Sequence, residues 1–199
     1  MLKVVHRVAQ LGVWAGGLAM LALAFLVSVE VVLRKAFLIG LSAAADLSSY
    51  TLAVSTAWAF SFALLARAHV RVDALIHLLP RRAAAFVDIV ALVALTWFAA
   101  VLVWYGFNVF AESYARDARA MTPLGMRMWI PQGLWVAGLT VFLATCIAVL
   151  ARAVALMARG RVGEVSALIG TLSTHEEVDA EIKDAAERRR VAARPVDAR

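Results

Sequence analysis

The 199 residues are 63% hydrophobic and only 17% charged, with a mean hydropathy of +0.82. A soluble domain carries roughly 25% charge, and here the charge is crowded between four long apolar windows, so a soluble globular domain is excluded. The net charge of +6 comes from basic residues that flank those windows; with no basic stripe or aromatic-interleaved patch, nucleic acid is excluded and anionic membrane lipid is the expected partner.

Four windows lack any charged residue: Val8–Val29, Leu47–Ala66, Ile89–Ala111 and Met128–Ala151. Each holds about 20 residues or slightly more, enough at ~1.5 Å per residue to cross ~30 Å of hydrocarbon. Backbone groups find no water there, so each window must be helical. Ala22-Leu23-Ala24 has the small residues of a signal-peptide cleavage site. The apolar run continues to Val29, however, so an uncleaved first helix is expected. The fold class that follows is all-α integral membrane, with four transmembrane helices.

Just beyond the first window, Glu30 and Arg34 stand four residues apart on one helix face, in the order that favours an ion pair. Within it, Gly12 and Gly16 allow close approach of another helix, and Ser55, Ala59 and Ala63 offer a similar ridge on the second span. Asp46 opens the second span, where with Ser48 and Ser49 it can cap the helix or meet another subunit.

Between the second and third spans, Val72, Leu75, Ile76 and Leu79 share one helical face, while Arg71, Asp73 and His77 are polar. This spacing predicts a short amphipathic helix in the membrane interface, closed by Pro80 and Arg81-Arg82. Thr122-Pro123-Leu124-Gly125 is a turn signal before the fourth span. After Gly160 the composition changes, and a capping box at Thr174-His175-Glu176-Glu177 leads into a polar, alanine-rich helical stretch from Glu176 to Arg190. The chain thus divides into a membrane domain, residues 1–159, and a polar cytoplasmic tail, residues 160–199.

Orientation follows from the basic residues. With a cytoplasmic N-terminus, that side holds nine near the helix ends: Lys3, Arg7, Arg67, Arg71, Arg81, Arg82, Arg152, Arg159 and Arg161. The other side holds five, Arg34, Lys35, Arg116, Arg119 and Arg127. The bias places both termini in the cytoplasm. Tyr50, Trp104, Tyr105, Tyr114, Trp129 and Trp135 gather toward the outer ends, where amphipathic rings prefer to sit.

The order of these features resembles the small membrane subunit (DctQ type) of tripartite ATP-independent periplasmic, or TRAP, transporters. The matching pieces are Arg34 after the first span, Asp46 opening the second and His69-Val70-Arg71-Val72-Asp73 after it. A Thr122-Pro123-Leu124 turn with Trp129-Ile130-Pro131 opens the fourth. The resemblance covers roughly residues 8–157, and the tail lies outside it. The family often carries glutamate, sometimes two acids, where Asp46 stands alone.

The resemblance implies a bacterial inner-membrane subunit that pairs with a larger multi-span permease. That permease carries an organic acid with sodium ions, and a periplasmic binding protein delivers the substrate. The small subunit is expected to be a non-catalytic scaffold with no cofactor or metal. Its interface candidates are Glu30, Arg34, Asp46, His69, Arg71, Asp73, Gly12 and Gly16. The residues themselves agree on one point: secondary transporters place polar groups and broken helices near the bilayer midplane, and these windows hold no charge.

Two other functional classes are compatible with a four-span chain. A haem- or quinone-associated anchor of a respiratory complex needs ligand histidines within its spans, yet His6, His69, His77 and His175 lie outside them. A membrane-embedded enzyme would show HExxH, a Gly-x-Ser-x-Gly elbow or an inward carboxylate pair, and none is found. The lone Cys146 allows neither an intrachain disulfide nor a multi-cysteine metal site.

Overall fold

The computed structural model describes residues 2–37, 43–66, 80–122, 124–169, 182 and 185. Four long helices carry the expected spans: α1 Leu2–Phe37, α2 Ala43–Leu65, α3 Arg81–Ala115 and α4 Trp129–Ala158. All four are long and apolar enough to cross a membrane. They run past the uncharged windows because helical backbone remains favourable where the side chains turn polar. At ~1.5 Å per residue α1 is about 54 Å long, well beyond the ~30 Å hydrocarbon thickness.

The helix ends follow local chemistry. Pro80, extended at φ −61 and ψ 145, precedes α3, and its carbonyl accepts from the N–H groups of Ala83 and Ala84. The other end of α3 is a Schellman turn: Asp117 donates to Tyr114 and Ala118 donates to Ser113. Asp117 holds a left-handed φ of 43 there, which a short polar side chain tolerates better than most. Pro131 falls in the first turn of α4, where a missing N–H costs nothing. At the far end of α4, Gly160 (φ 71) donates to Met157 and Arg161 to Leu156. This second Schellman turn leads the chain into a fifth helix, α5 Val162–Ile169.

That helix lies just past the expected division at residue 159 and packs on the long helices. Val165 is fully buried with Ala85 and Leu92 of α3 and Val149, Ala153 and Leu156 of α4, and Val162 and Leu168 pack against the same cluster. The chain after Gly160 therefore begins with an apolar helix that belongs to the packed body. Of the helix expected from Glu176 to Arg190, only Ile182 and Ala185 lie within the described residues.

The third span also extends further than read. The window beginning at Ile89 stops one residue short of Asp88, yet α3 starts at Arg81 and Asp88 is only 4% exposed. It shares a helix face with Ala85 and Leu92, within the apolar stretch and near the α5 end of the bundle.

Helix α2 packs on α1 and on α4, and α3 packs on α4; α1 touches α4 only lightly. The long helices thus stand in the order α1–α2–α4–α3, with α5 across the end of α3 and α4. Such an open row would be costly in water. In lipid there is no hydrophobic force between helices, so close van der Waals contact decides which surfaces meet. A glycine stands at each of the three seams. Gly12 and Gly16 face Trp58 and Ser55 of α2, Gly138 faces Trp58 and Ala57, Gly106 of α3 faces Trp135 and Val136 of α4, and Gly133 of α4 faces Phe110 of α3.

Candidate functional site

The tightest point of the row is Trp58, midway along α2. Its indole N–H donates to the Leu134 carbonyl of α4 at 3.1 Å. A methyl group on Gly138 would lie 2.8 Å from one edge of the ring, and one on Gly12 would lie 2.7 Å from another. The indole is therefore wedged between α1 and α4, tying three helices together. One turn away, Ser55 donates from its hydroxyl to the Gly16 carbonyl at 3.3 Å. The pair Gly12 and Gly16, read as an interface candidate, thus meets α2 of the same chain, and the close approach it allows is used internally. Ser55 of the expected ridge takes part; Trp58 was not foreseen, although a tryptophan at mid-span, away from its preferred interface, was a readable signal.

Several other hydroxyls within the spans turn back on their own helices, while that of Ser61, fully buried on α2, has no hydrogen-bond partner. Ser28, Thr56, Thr96, Thr140 and Thr145 each donate to the carbonyl four residues earlier, at 2.7–2.8 Å. This satisfies them inside the hydrocarbon without a cross-helix cluster.

Asp46 sits in the first turn of α2, where a carboxylate is stabilised by ~0.3–1 kcal/mol when exposed. It does not cap the helix, which begins three residues earlier at Ala43. Ser48 and Ser49 do not cap it either, since they donate back to the carbonyls of Ala44 and Ala45. One Asp46 oxygen is buried without a hydrogen-bond partner, as is the amide oxygen of Gln132 in the first turn of α4. Because α2 and α4 run parallel, both acceptors lie at the same end of the row.

That end carries a compact turn between α3 and α4. Ala120 donates to Met126 and Met128 to Ala118, bringing Arg119 opposite Arg127, and Gly125 (φ 55) donates to the Thr122 carbonyl. The Asp117 carboxylate pairs with Arg127 at 3.4 Å and Arg119 at 3.5 Å, while Arg116 pairs with Glu112 at 2.9 Å. All five side chains are at least half exposed, so each pair contributes only ~0–1 kcal/mol.

Glu30 and Arg34 do not form with each other the ion pair their spacing allows, whereas Arg161 and Glu164, at the start of α5, do pair. Glu30 and Arg34 stand near the end of α1, the least covered helix. Its most apolar window buries none of its residues, and Trp14, Leu18, Leu21 and Phe25 are each at least 70% exposed. These four recur at alternating spacings of four and three, a straight seam of the kind one helix offers another. The exposed face of α3 carries Phe86, Val90, Trp97 and Trp104, with the polar Asn108 one turn beyond Trp104. His69, Arg71 and Asp73, the interfacial helix expected around them, and Pro123 lie outside the described residues.

Residues 23–156 match the model of the family described as "Tripartite ATP-independent periplasmic transporters, DctQ component". The chain belongs to the DctQ family. It is therefore a small, multi-pass membrane subunit of the TRAP transporter class, and the respiratory-anchor alternative gives way to that match. No curated protein and no solved structure matches it. The matched segment of this DctQ component takes in Glu30, Arg34, Asp46, Trp58 and the Asp117 turn. It leaves out the first 22 residues, with Gly12 and Gly16, and all of α5.

Proposed function

We propose that this DctQ component is the non-catalytic scaffold of a TRAP transporter. It braces a larger permease in the inner membrane, and that permease takes up an organic acid, delivered by a periplasmic binding protein, at the expense of an ion gradient. The observation that carries this reading is a contrast within the spans: most hydroxyls are turned back on their own helices, with only Ser61 buried and unpartnered among those described, whereas α1 offers an uncovered seam. A chain that moved substrate itself would need polar groups converging near the midplane.

The permease contact is assigned to the outer face of α1. Trp14, Leu18, Leu21 and Phe25 supply the packing surface, and the mutually unpaired Glu30 and Arg34 supply polar contacts, worth roughly 0.6–2 kcal/mol each in a membrane. The basic bias supports placing both termini in the cytoplasm and the Asp117 turn in the periplasm.

Co-purification with the permease in mild detergent tests the assignment. Replacing Trp14, Leu18 and Leu21 together by alanine should release the permease while leaving this chain folded. The same treatment of Phe86, Val90 and Trp97 on α3 should leave the pair intact. Release by the α3 variant and retention by the α1 variant would move the contact to the other end of the row.

A further inference from the structure

Helices α1 and α4 barely meet, and the gap between them, floored by α2, is an apolar cleft of about 560 Å³. Ala15 and Ala19 form one wall, Ile130 and Leu134 the other, and Val54 and Trp58 lie along the floor. The cleft is blind. At its deep end the Trp58 indole fills the space between Gly12 and Gly138, and at its open end Leu47 and Met126 line it beside the Arg119–Arg127 turn.

Its length identifies what fits. From Leu47 to Trp58 is eleven residues, about 16 Å of helix, or half of the ~30 Å hydrocarbon thickness. A partner's membrane helix, ~10–12 Å across and spanning the whole bilayer, would run into the indole; a single acyl chain, confined to one leaflet, ends there. Above the open end, Arg119 and Arg127 share one carboxylate, that of Asp117, at 3.5 and 3.4 Å, so this exposed trio presents one more guanidinium than carboxylate, and guanidinium groups suit phosphate. We propose that this cleft holds one acyl chain of an anionic phospholipid from the leaflet on the turn's side, with its phosphate at Arg119 and Arg127.

The test uses the full-length chain in phosphatidylcholine vesicles containing a little phosphatidylglycerol with a photoreactive group on its acyl chain, and the labelled peptides are mapped. Label should concentrate on residues 15–19 and 54–58 relative to the lipid-facing segment 86–97 of α3. Unlabelled phosphatidylglycerol should compete better than phosphatidylcholine. Filling the cleft with Ala15→Trp and Ala19→Trp should lower its label to the α3 level. Arg119→Gln with Arg127→Gln lies on an exposed turn and leaves the helices intact; it should preserve the cleft label but abolish the preference for the anionic lipid. Equal labelling of cleft and α3, or an anionic preference indifferent to the two arginines, would overturn the proposal. So would loss of the cleft label on adding the permease, since that gives the cleft to a protein helix.

Discussion

Adding one methyl group at Gly138 should loosen the row at its centre. The new carbon would lie 2.8 Å from Cδ1 and 3.0 Å from Nε1 of Trp58, and 3.1 Å from the Ala57 methyl. The ring is held on two sides, because α1 approaches it at Gly12 and its N–H is bonded to Leu134, so it can yield only toward the cleft and at the expense of that bond. Overpacking of this kind costs ~1–3 kcal/mol. Trp58→Phe keeps most of the ring and loses only the hydrogen bond, roughly 0.6–2 kcal/mol in a membrane. The Leu134 carbonyl keeps its helical bond to the Gly138 N–H, so no acceptor is orphaned. Gly138→Ala should therefore be at least as costly as Trp58→Phe, and the two sites should couple. With Trp58→Leu already in place the same methyl finds room, and its cost should shrink by about 0.5–3 kcal/mol, the range for residues in contact. Gly17→Ala is the control, since a methyl there meets nothing within 4 Å. Unfolding in mixed micelles by titrated denaturing detergent, followed by circular dichroism, reads all four variants and the double. Equal cost of Gly138→Ala with and without the indole, or a cost no larger than that of Gly17→Ala, would refute the wedge.

Ending the chain after Gly163 removes the buried Val165, a side chain worth ~1.5–3 kcal/mol when fully buried; it should lower thermal stability in detergent, whereas ending it after Ile169 should not. At Asp117, asparagine should be nearly neutral, losing only exposed pairs of ~0–1 kcal/mol. Valine at the same left-handed φ should cost a further ~1–3 kcal/mol in the same melt. In a Cys146-free background, a cysteine at position 71 should resist a membrane-impermeant thiol reagent in intact cells, while one at position 119 should react; the reverse pattern would invert the topology.

The bilayer explains which features were legible. Each span needs ~20 apolar residues and a helical backbone, so all four could be read directly, and Trp129-Ile130-Pro131 marked the start of α4. The family was legible through short motifs at and between the ends of the spans, such as Arg34, Asp46 and Trp129-Ile130-Pro131. Helix ends were not, because Asp88 and Glu30 continue helices that the hydropathy windows cut short. Glycine spacing announced that Gly12 and Gly16 would be approached closely but could not say by which helix; Trp58 supplied the answer only in three dimensions. Helix α5 was hidden by its charged surroundings. Gly160 as a helix-terminating glycine, with Val162, Val165 and Leu168 three residues apart, was its signal.

The most direct test of the scaffold reading is uptake of a labelled organic acid into liposomes under a sodium gradient, with each component omitted in turn. The account predicts uptake only when this chain, the permease and the binding protein are all present, and none from this chain alone. Uptake by this chain without the permease, or full uptake by the permease and binding protein without this chain, would contradict it.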